Sequence, residues 1–332
     1  MKRNIAIMAG GDSSEWVISV QSAAQISEVL TPEKYIPYTI TVKGHKWYMT
    51  DSHGNEHHID KNDFSLKLDG HKILFDCALI AIHGTPGENG ILQSYFELAG
   101  IPYTTCGVGT SAITFNKYAT KTYARETGIN LARHILVKRE EPVAIDKIIE
   151  AVGLPCFVKP NQSGSSFGVT KVKSEDMLPS ALQEAFAEDE EVLVEEFLAG
   201  IELTCGIYKS ENHELIMPVT EIASKKEFFD YEAKYTPGMC DEITPARISK
   251  EVTELVQQTA YKLYRWFGCR GIVRVDFIYS HEKLYLLEMN TTPGMSKNSI
   301  IPQQVREMGL TMTTVWEWVI EDSIAAFKQA KQ

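Results

Sequence analysis

Apolar positions recur along this chain with two different periods, and the changes of period divide it into strands and helices. Asn4–Ala9 is a nearly continuous apolar run ending in Gly10-Gly11, the pattern of a strand buried in a sheet. Ser19–Leu30 follows with helix-like spacing, so the chain opens as strand, loop and helix. Cys77–Ile82 is a second apolar strand of parallel type, then comes the loop His83–Gly90 and a helix over Ile91–Leu98. Both loops sit at carboxyl ends of strands, where open α/β sheets place their ligands. A second block, roughly 116–205, predicts a helix over Ala119–Thr127, strands near Arg133–Val137 and Cys156–Lys159, a Gly/Ser loop, a helix near Leu178–Phe186 and a strand over Glu191–Glu196. The third block predicts a strand near Leu203–Tyr208, a long loop from Lys225 to Pro245, a helix over Glu251–Phe267, a hairpin, and a terminal amphipathic helix around Thr313–Lys328.

The hairpin carries the most chemistry. In Val273–Tyr279, Val273, Val275 and Phe277 alternate with Arg274 and Asp276, and Tyr285, Leu287 and Met289 alternate with Glu288 and Asn290. A three-residue loop of His281, Glu282 and Lys283 sets Asp276 opposite Glu288, with all four polar groups on one face. Two carboxylates and an amide oxygen are hard ligands suited to Mg²⁺, which keeps sites for water and phosphate. A solvent-facing hairpin with an Arg–Asp–Glu ion pair would show the same pattern.

At 332 residues the chain is long for one core, so two or three domains are expected. The net charge of −11 argues against a nucleic-acid partner. Six cysteines stand singly, without a C-x-x-C, and read as small buried residues in a reducing compartment. No stretch approaches the apolar length of a membrane span, and the N-terminal apolar run is too short for a signal peptide, so a cytoplasmic protein is expected.

Val158-Lys159-Pro160 ends an apolar strand, and Asn161–Val169 follows with Ser163, Gly164, Ser165, Ser166 and Gly168. Small residues let backbone N–H groups approach phosphate oxygens, the serines add donors and Lys159 adds a charge. The loop is neither a Walker nor a dinucleotide-binding motif, and an ordinary turn has similar composition. The segment Val192–Leu198, then Gly200–Leu203, supplies a backbone edge beside apolar side chains that could read an adenine, or simply connect two domains.

Taken in order, the Gly-Gly loop with Ser14 and Glu15, His83-Gly84 with Gly87–Gly90, Lys117, Lys159 with Ser165-Ser166, Glu195–Leu198, Asp230–Tyr235 and the Arg274–Gly294 hairpin resemble the D-alanine–D-alanine ligases of the ATP-grasp superfamily. The resemblance spans nearly the whole chain. It implies an α/β protein of three domains: a Rossmann-like parallel-sheet domain over 1–115, a central ATP-grasp subdomain with the phosphate flap over 116–205, and a C-terminal metal-binding domain over 206–332, the last two α+β and clasping ATP. It implies ATP-dependent joining of two D-alanines through an acyl phosphate, for peptidoglycan precursors, and a homodimer. By the same resemblance, Asp276, Glu288 and Asn290 hold two Mg²⁺ (or Mn²⁺) ions, Lys117, Lys159 and Ser166 meet phosphates, and Lys234 reaches the γ-phosphate. Glu195, Phe197, Leu198 and Glu202 match the adenine and ribose positions. Arg274 and the Gly294 N–H match the oxyanion donors, Glu15 and His83 hold the first D-alanine, Ser299 the carboxylate of the second, and Glu15, Ser165 and Tyr235 form the network that closes the site.

The chain also departs from the family pattern. A basic and then an acidic residue commonly follow the N-terminal glutamate, whereas Trp16-Val17 stands here, and these form no ion pair to support Glu15. Phe229 and Phe167 occupy positions where tyrosine and a smaller aliphatic are frequent. Relatives that form D-alanyl-D-lactate lack the Tyr-Glu-Ala-Lys-Tyr string, so Tyr235 favours D-alanine as nucleophile over D-lactate. A D-alanyl-D-serine ligase and a non-catalytic ATP-binding sensor compete with this expectation. A sensor could keep Lys117 and Lys159 but has little need of Asp276, Glu288 and Asn290 together.

Overall fold

The computed structural model describes residues 2–224 and 240–330. Lys234, Tyr235 and Phe229 lie outside them. Among the described residues the strands form three sheets, in a mixed α/β architecture.

The first sheet has seven strands. Arg3–Gly10 lies between Tyr35–Lys43 and Cys77–Ile80, parallel to both, as its apolar run predicts. Its side chains alternate between two cores: Ile5, Ile7 and Ala9 enter one, Ala6 and Met8 the other. The strands Lys46–Thr50, Glu56–Asp60, Ser65–Leu68 and His71–Leu74 extend this sheet as an antiparallel meander. Their short sequences alternate too weakly to predict strands. The helix Trp16–Val29 covers one face.

The second sheet has four strands, with Glu191–Glu196 between Cys156–Pro160 and His134–Lys138. Helices Ile145–Val152 and Leu178–Glu188 bury their apolar stripes against it. Glu191–Glu196 is therefore an interior strand paired on both sides, so of the backbone edge expected over Val192–Leu198 only the stretch beyond Glu196 lies outside the ladder. The N–H of Glu196 goes to Arg133 O and that of Phe197 to Pro155 O.

The third sheet is built around Ile201–Lys209, which pairs with Ile272–Ser280 along its length. A boundary at 205/206 would cut this strand, which belongs wholly to the third sheet. Helix Lys250–Trp266 packs beneath it through Val256, Ala260, Leu263 and Tyr264. The last helix, Met312–Gln329, returns to the first sheet: Val315, Trp316, Val319 and Ile320 join Ile5, Ile7, Cys77 and Leu79 in one core. Arg3 and Tyr35 both bond to Glu321 at the rim. No helix among the described residues is long and apolar enough to cross a membrane.

The hairpin differs from its expected form in two places. Its turn has two residues, His281 and Glu282, with φ of +47° and +59°, and Ser280 pairs with Lys283. Both residues thus take the left-handed conformation of a tight hairpin turn. That shorter turn alone would shift the register by one residue. A bulge between the Asp276 and Phe277 pairings restores it, and Asp276 does face Glu288. The bulge also inverts the side-chain phase, so Leu284, Leu286 and Met289 are buried while Tyr285 and Leu287 are not, against the expected grouping of Tyr285 and Leu287 with Met289.

Candidate functional site

The three sheets converge on a cavity of about 690 Å³, within the range that holds a nucleotide-sized ligand. One wall is the hairpin, from which Arg274, Asp276, Glu288 and Asn290 all face inward. Arg274 clasps Asp276 with Nε at 2.8 Å and Nη2 at 2.6 Å, and the Thr204 hydroxyl donates to the same carboxylate. Burial acts against the Arg274 charge, but Asp276 and Glu288 outweigh it and hold the guanidinium protonated. Lys117 Nζ lies 3.8 Å from Glu288. Among the described residues no three His, Cys, Asp or Glu side chains group to hold a metal by themselves. Two carboxylates and one amide oxygen leave the other positions to phosphate and water, which suits Mg²⁺. The donor set therefore fits.

Lys117 begins the helix Lys117–Ala124, capped by Asn116, whose side chain accepts from Ala119 N. Its ammonium donates to Ser163 O at the root of the flap. Burial depresses its proton affinity first, and Glu288 counters. Lys159 projects from Cys156–Pro160 and pairs with Glu195. The other oxygen of Glu195 is 2.6 Å from Lys121, a fully buried lysine absent from the sequence-predicted site. Its spacing from Lys117, one helical turn, is the only signal the sequence offers for it. Burial would raise the Glu195 pKa, but the two lysines hold it at about 2. Phe157, Val169, Phe197, Ile201, Leu287 and Met289 line an apolar slot beside these charges. Lys171 Nζ lies 3.7 Å from the Phe197 ring centroid. Leu198 follows where the paired strand ends, and Glu202 lines the same slot.

Opposite the hairpin stands the flap, with Ser165 and Ser166 both at positive φ, +50° and +61°. The Ser165 hydroxyl donates to Glu15 Oε1 at 2.5 Å. At Gly164 a Cβ would stand 2.5 Å from Glu15 Oε2, so only glycine lets the flap lie against that carboxylate. Trp16 does not face the site: its ring covers Gly10, where a Cβ would meet it at 2.7 Å, and Val17 is exposed. Trp16 and Val17 therefore offer Glu15 no ion pair, and the flap lies against its carboxylate. Glu88 lies close by, bonded to Gly84 N at 2.7 Å, and burial together with Glu15 raises its pKa to about 8. Sequence reasoning assigns Glu88 no role, because its loop position gives no sign of this burial.

His83 is 4% exposed, 3.2 Å from the Ser22 hydroxyl and bonded to the Thr292 backbone; burial lowers its pKa to about 4. It is a neutral imidazole at physiological pH. Gly294 and Ser299 line the same cavity, and a Cβ on Gly294 would come within 3.0 Å of Ser299 Oγ. Ser299 is the N-cap of helix Ile300–Glu307 but bonds to Ser296 Oγ at 2.7 Å instead of capping. The polar end of that helix therefore opens to the cavity. Glu15, His83, Ser165, Ser166, Lys117, Lys159, Glu195, Phe197, Leu198, Glu202, Arg274, Asp276, Glu288, Asn290, Gly294 and Ser299 all line one cavity.

Two family models match the chain in succession: D-ala D-ala ligase N-terminus over residues 4–106 and D-ala D-ala ligase C-terminus over residues 123–321. The chain belongs to the D-alanine–D-alanine ligase family. The D-alanine–D-alanine ligase of Bacteroides fragilis is 48% identical over 323 residues, 97% of this chain and 99% of the relative. Among solved structures, the D-alanyl-alanine synthetase A of Vibrio cholerae superposes with a TM-score of 0.87 at 31% identity, over 98% of this chain and 99% of the other. The VanG D-Ala:D-Ser ligase of Enterococcus faecalis gives 0.84 at 31% identity, over 98% and 100%. A D-alanine–D-alanine ligase of Bacillus anthracis complexed with ATP gives 0.77 at 27% identity, over 98% and 99%. This family uses ATP.

Proposed function

We infer that the protein joins two D-alanines to D-alanyl-D-alanine: the carboxylate of the first takes the γ-phosphoryl group of ATP, releasing ADP, and the amine of the second displaces phosphate from the resulting D-alanyl phosphate. The observation that carries this reading is one cavity lined by Lys117, Lys159 and Ser166, whose donors suit phosphate, by Asp276, Glu288 and Asn290, whose oxygens suit a divalent cation, and by the buried carboxylate of Glu15 under the flap. The sheets support the three-domain ATP-grasp arrangement, with the second and third clasping nucleotide between them. On this reading Ile201–Lys209 goes with the C-terminal domain, moving the boundary from 205/206 to about residue 200, and the first break stays near 115.

Adenine enters the apolar slot, where Phe197 and Leu198 flank it, with Glu195 and Glu202 at its edges. Asp276, Glu288 and Asn290 would hold two Mg²⁺ ions, which supply charge neutralisation at the β- and γ-phosphates. Glu15 receives the ammonium of the first D-alanine, and neutral His83 offers its carboxylate no charge, leaving that anion free to attack phosphorus. Ser299 and the polar end of its helix receive the carboxylate of the second D-alanine. As its amine attacks, Arg274 and the Gly294 N–H donate to the developing oxyanion. The flap, latched by Ser165 on Glu15, keeps water from the acyl phosphate. Lys234 and Tyr235, outside the described residues, complete the set by resemblance.

The test is ADP release with Mg²⁺ and D-alanine, with mass analysis of the product. Absence of ADP formation with D-alanine, together with activity on another acid, would refute the reading. The likeness to a D-Ala:D-Ser ligase keeps D-serine as the competing second substrate, so equimolar D-alanine and D-serine decide the nucleophile in one experiment. A cytoplasmic homodimer belongs to the same proposal, and sedimentation checks its assembly.

A further inference from the structure

Lys121 is a charged group that the reaction as drawn does not use. It is fully buried, one helical turn from Lys117, and is not among the residues lining the cavity. Its ammonium lies 2.6 Å from one oxygen of Glu195 and 3.3 Å from Leu286 O, while Lys159 takes the other oxygen of Glu195. One carboxylate thus stands between two ammonium groups, only one of which, Lys159, faces the cavity. The cluster carries a net charge of one positive unit. Without Lys121 it would be a neutral pair, and Lys159 could turn toward a phosphate only by leaving a buried carboxylate without a partner.

We propose that Lys121 is a positioning residue for nucleotide binding: by holding one oxygen of Glu195, it leaves that buried carboxylate a partner when the Lys159 ammonium turns from it to phosphate. The inference rests on the reading of Lys159 as a phosphate contact. Burial lowers the proton affinity of Lys121, and Glu195 is what opposes that loss. A buried lysine of this kind is costly to keep unless its charge has a use.

Calorimetric binding of ADP and of adenosine separates a phosphate effect from a structural one. Lys121→Met should weaken ADP about tenfold, the scale of one lost charge-assisted contact, and leave adenosine within about twofold. Lys121→Arg, which keeps the charge, should restore most of the ADP affinity. Adding Glu195→Gln to Lys121→Met should bring ADP affinity back to that of Glu195→Gln alone, because a neutral amide does not hold Lys159. Equal losses for ADP and adenosine, no loss for either, or additive losses in the double variant would each overturn the proposal. If Lys121→Met does not fold, the comparison of the double variant with Glu195→Gln stands by itself, since neither leaves a buried carboxylate. Lys159→Ala is the control for the underlying reading. Unchanged ADP affinity in that variant removes Lys159 from the phosphates, whereas a loss there with none in Lys121→Met removes only the inference about Lys121.

Discussion

Replacing Arg274 with methionine tests two properties of one side chain, and they respond to different conditions. Arg274 holds Asp276 through both ends of its guanidinium, and the two side chains are 13% and 9% exposed. Breaking a buried ion pair costs about 3–5 kcal/mol. Because this pair faces a cavity that admits water, we take the lower end, about 3 kcal/mol. At roughly 2–4 °C per kcal/mol for a domain of comparable size, Arg274→Met should melt about 6–12 °C below the parent in metal-free buffer. Mg²⁺ with ADP brings positive charge to Asp276, so the gap should narrow when both are added. Turnover should not recover. On the proposed role of Arg274 one oxyanion donor would be gone, which typically raises the barrier by about 2.7–4 kcal/mol and lowers kcat about 10²–10³-fold. Arg274→Lys keeps the charge but not the planar fork, so it should restore stability more than turnover. Scanning fluorimetry with and without Mg²⁺-ADP gives the first quantity and ADP release at saturating D-alanine the second. Turnover within about threefold of the parent, or a melting gap that Mg²⁺-ADP leaves unchanged, would refute the reasoning.

Four further outcomes follow from the same geometry. Glu288→Gln should keep the melting temperature within a few degrees and weaken Mg²⁺ activation sharply; near-normal turnover across a Mg²⁺ titration would contradict the metal assignment. Gly164→Ala should raise KM for D-alanine at the first site about tenfold or more, since its Cβ would meet the Glu15 carboxylate at 2.5 Å; steady-state kinetics with unchanged KM would show that the flap does not pack there. His83, with its pKa lowered to about 4, binds a proton less readily folded than unfolded, so its stability contribution is complete above about pH 6.5 and is lost as pH falls toward 4. His83→Gln should remove up to about 3 kcal/mol of that acid sensitivity, read from denaturant midpoints at pH 7 and pH 4. Glu88 has the opposite sign: its raised pKa makes ionisation costly between about pH 4.5 and 8, so Glu88→Gln should match the parent at pH 4 and melt higher at pH 8.

The hairpin shows how far residue patterns reach and where they fail. Strict alternation places Asp276 opposite Glu288, and they are opposite, but by a different route. The expected loop has three residues, and His281 and Glu282 are not the Asn-Gly or Asp-Gly pair that signals a tighter turn. The two-residue turn and the bulge compensate, and neither leaves a mark in residue type. Apolar runs are legible for the same reason that Arg3–Gly10 and Cys77–Ile80 are buried on both faces. The meander over residues 46–74 is not, because its strands are short and partly exposed. The charges Lys117, Lys159 and Glu195 can be picked out by resemblance, yet the pairing of Glu195 with Lys121 depends on a long-range approach between helix and sheet that no local spacing encodes. Glu88 is hidden likewise, since its raised pKa comes from burial beside Glu15, far away in the chain.

The packing of Met312–Gln329 against the first sheet bears on how the chain is made. Strand Arg3–Gly10 is synthesised long before Val315, Trp316 and Ile320, the residues that share a core with Ile5 and Ile7. Until helix Met312–Gln329 has emerged, one face of the first sheet stands open to solvent, or to a chaperone. A truncation before Val315 would therefore injure a part of the molecule far away in sequence, exposing one face of the first sheet.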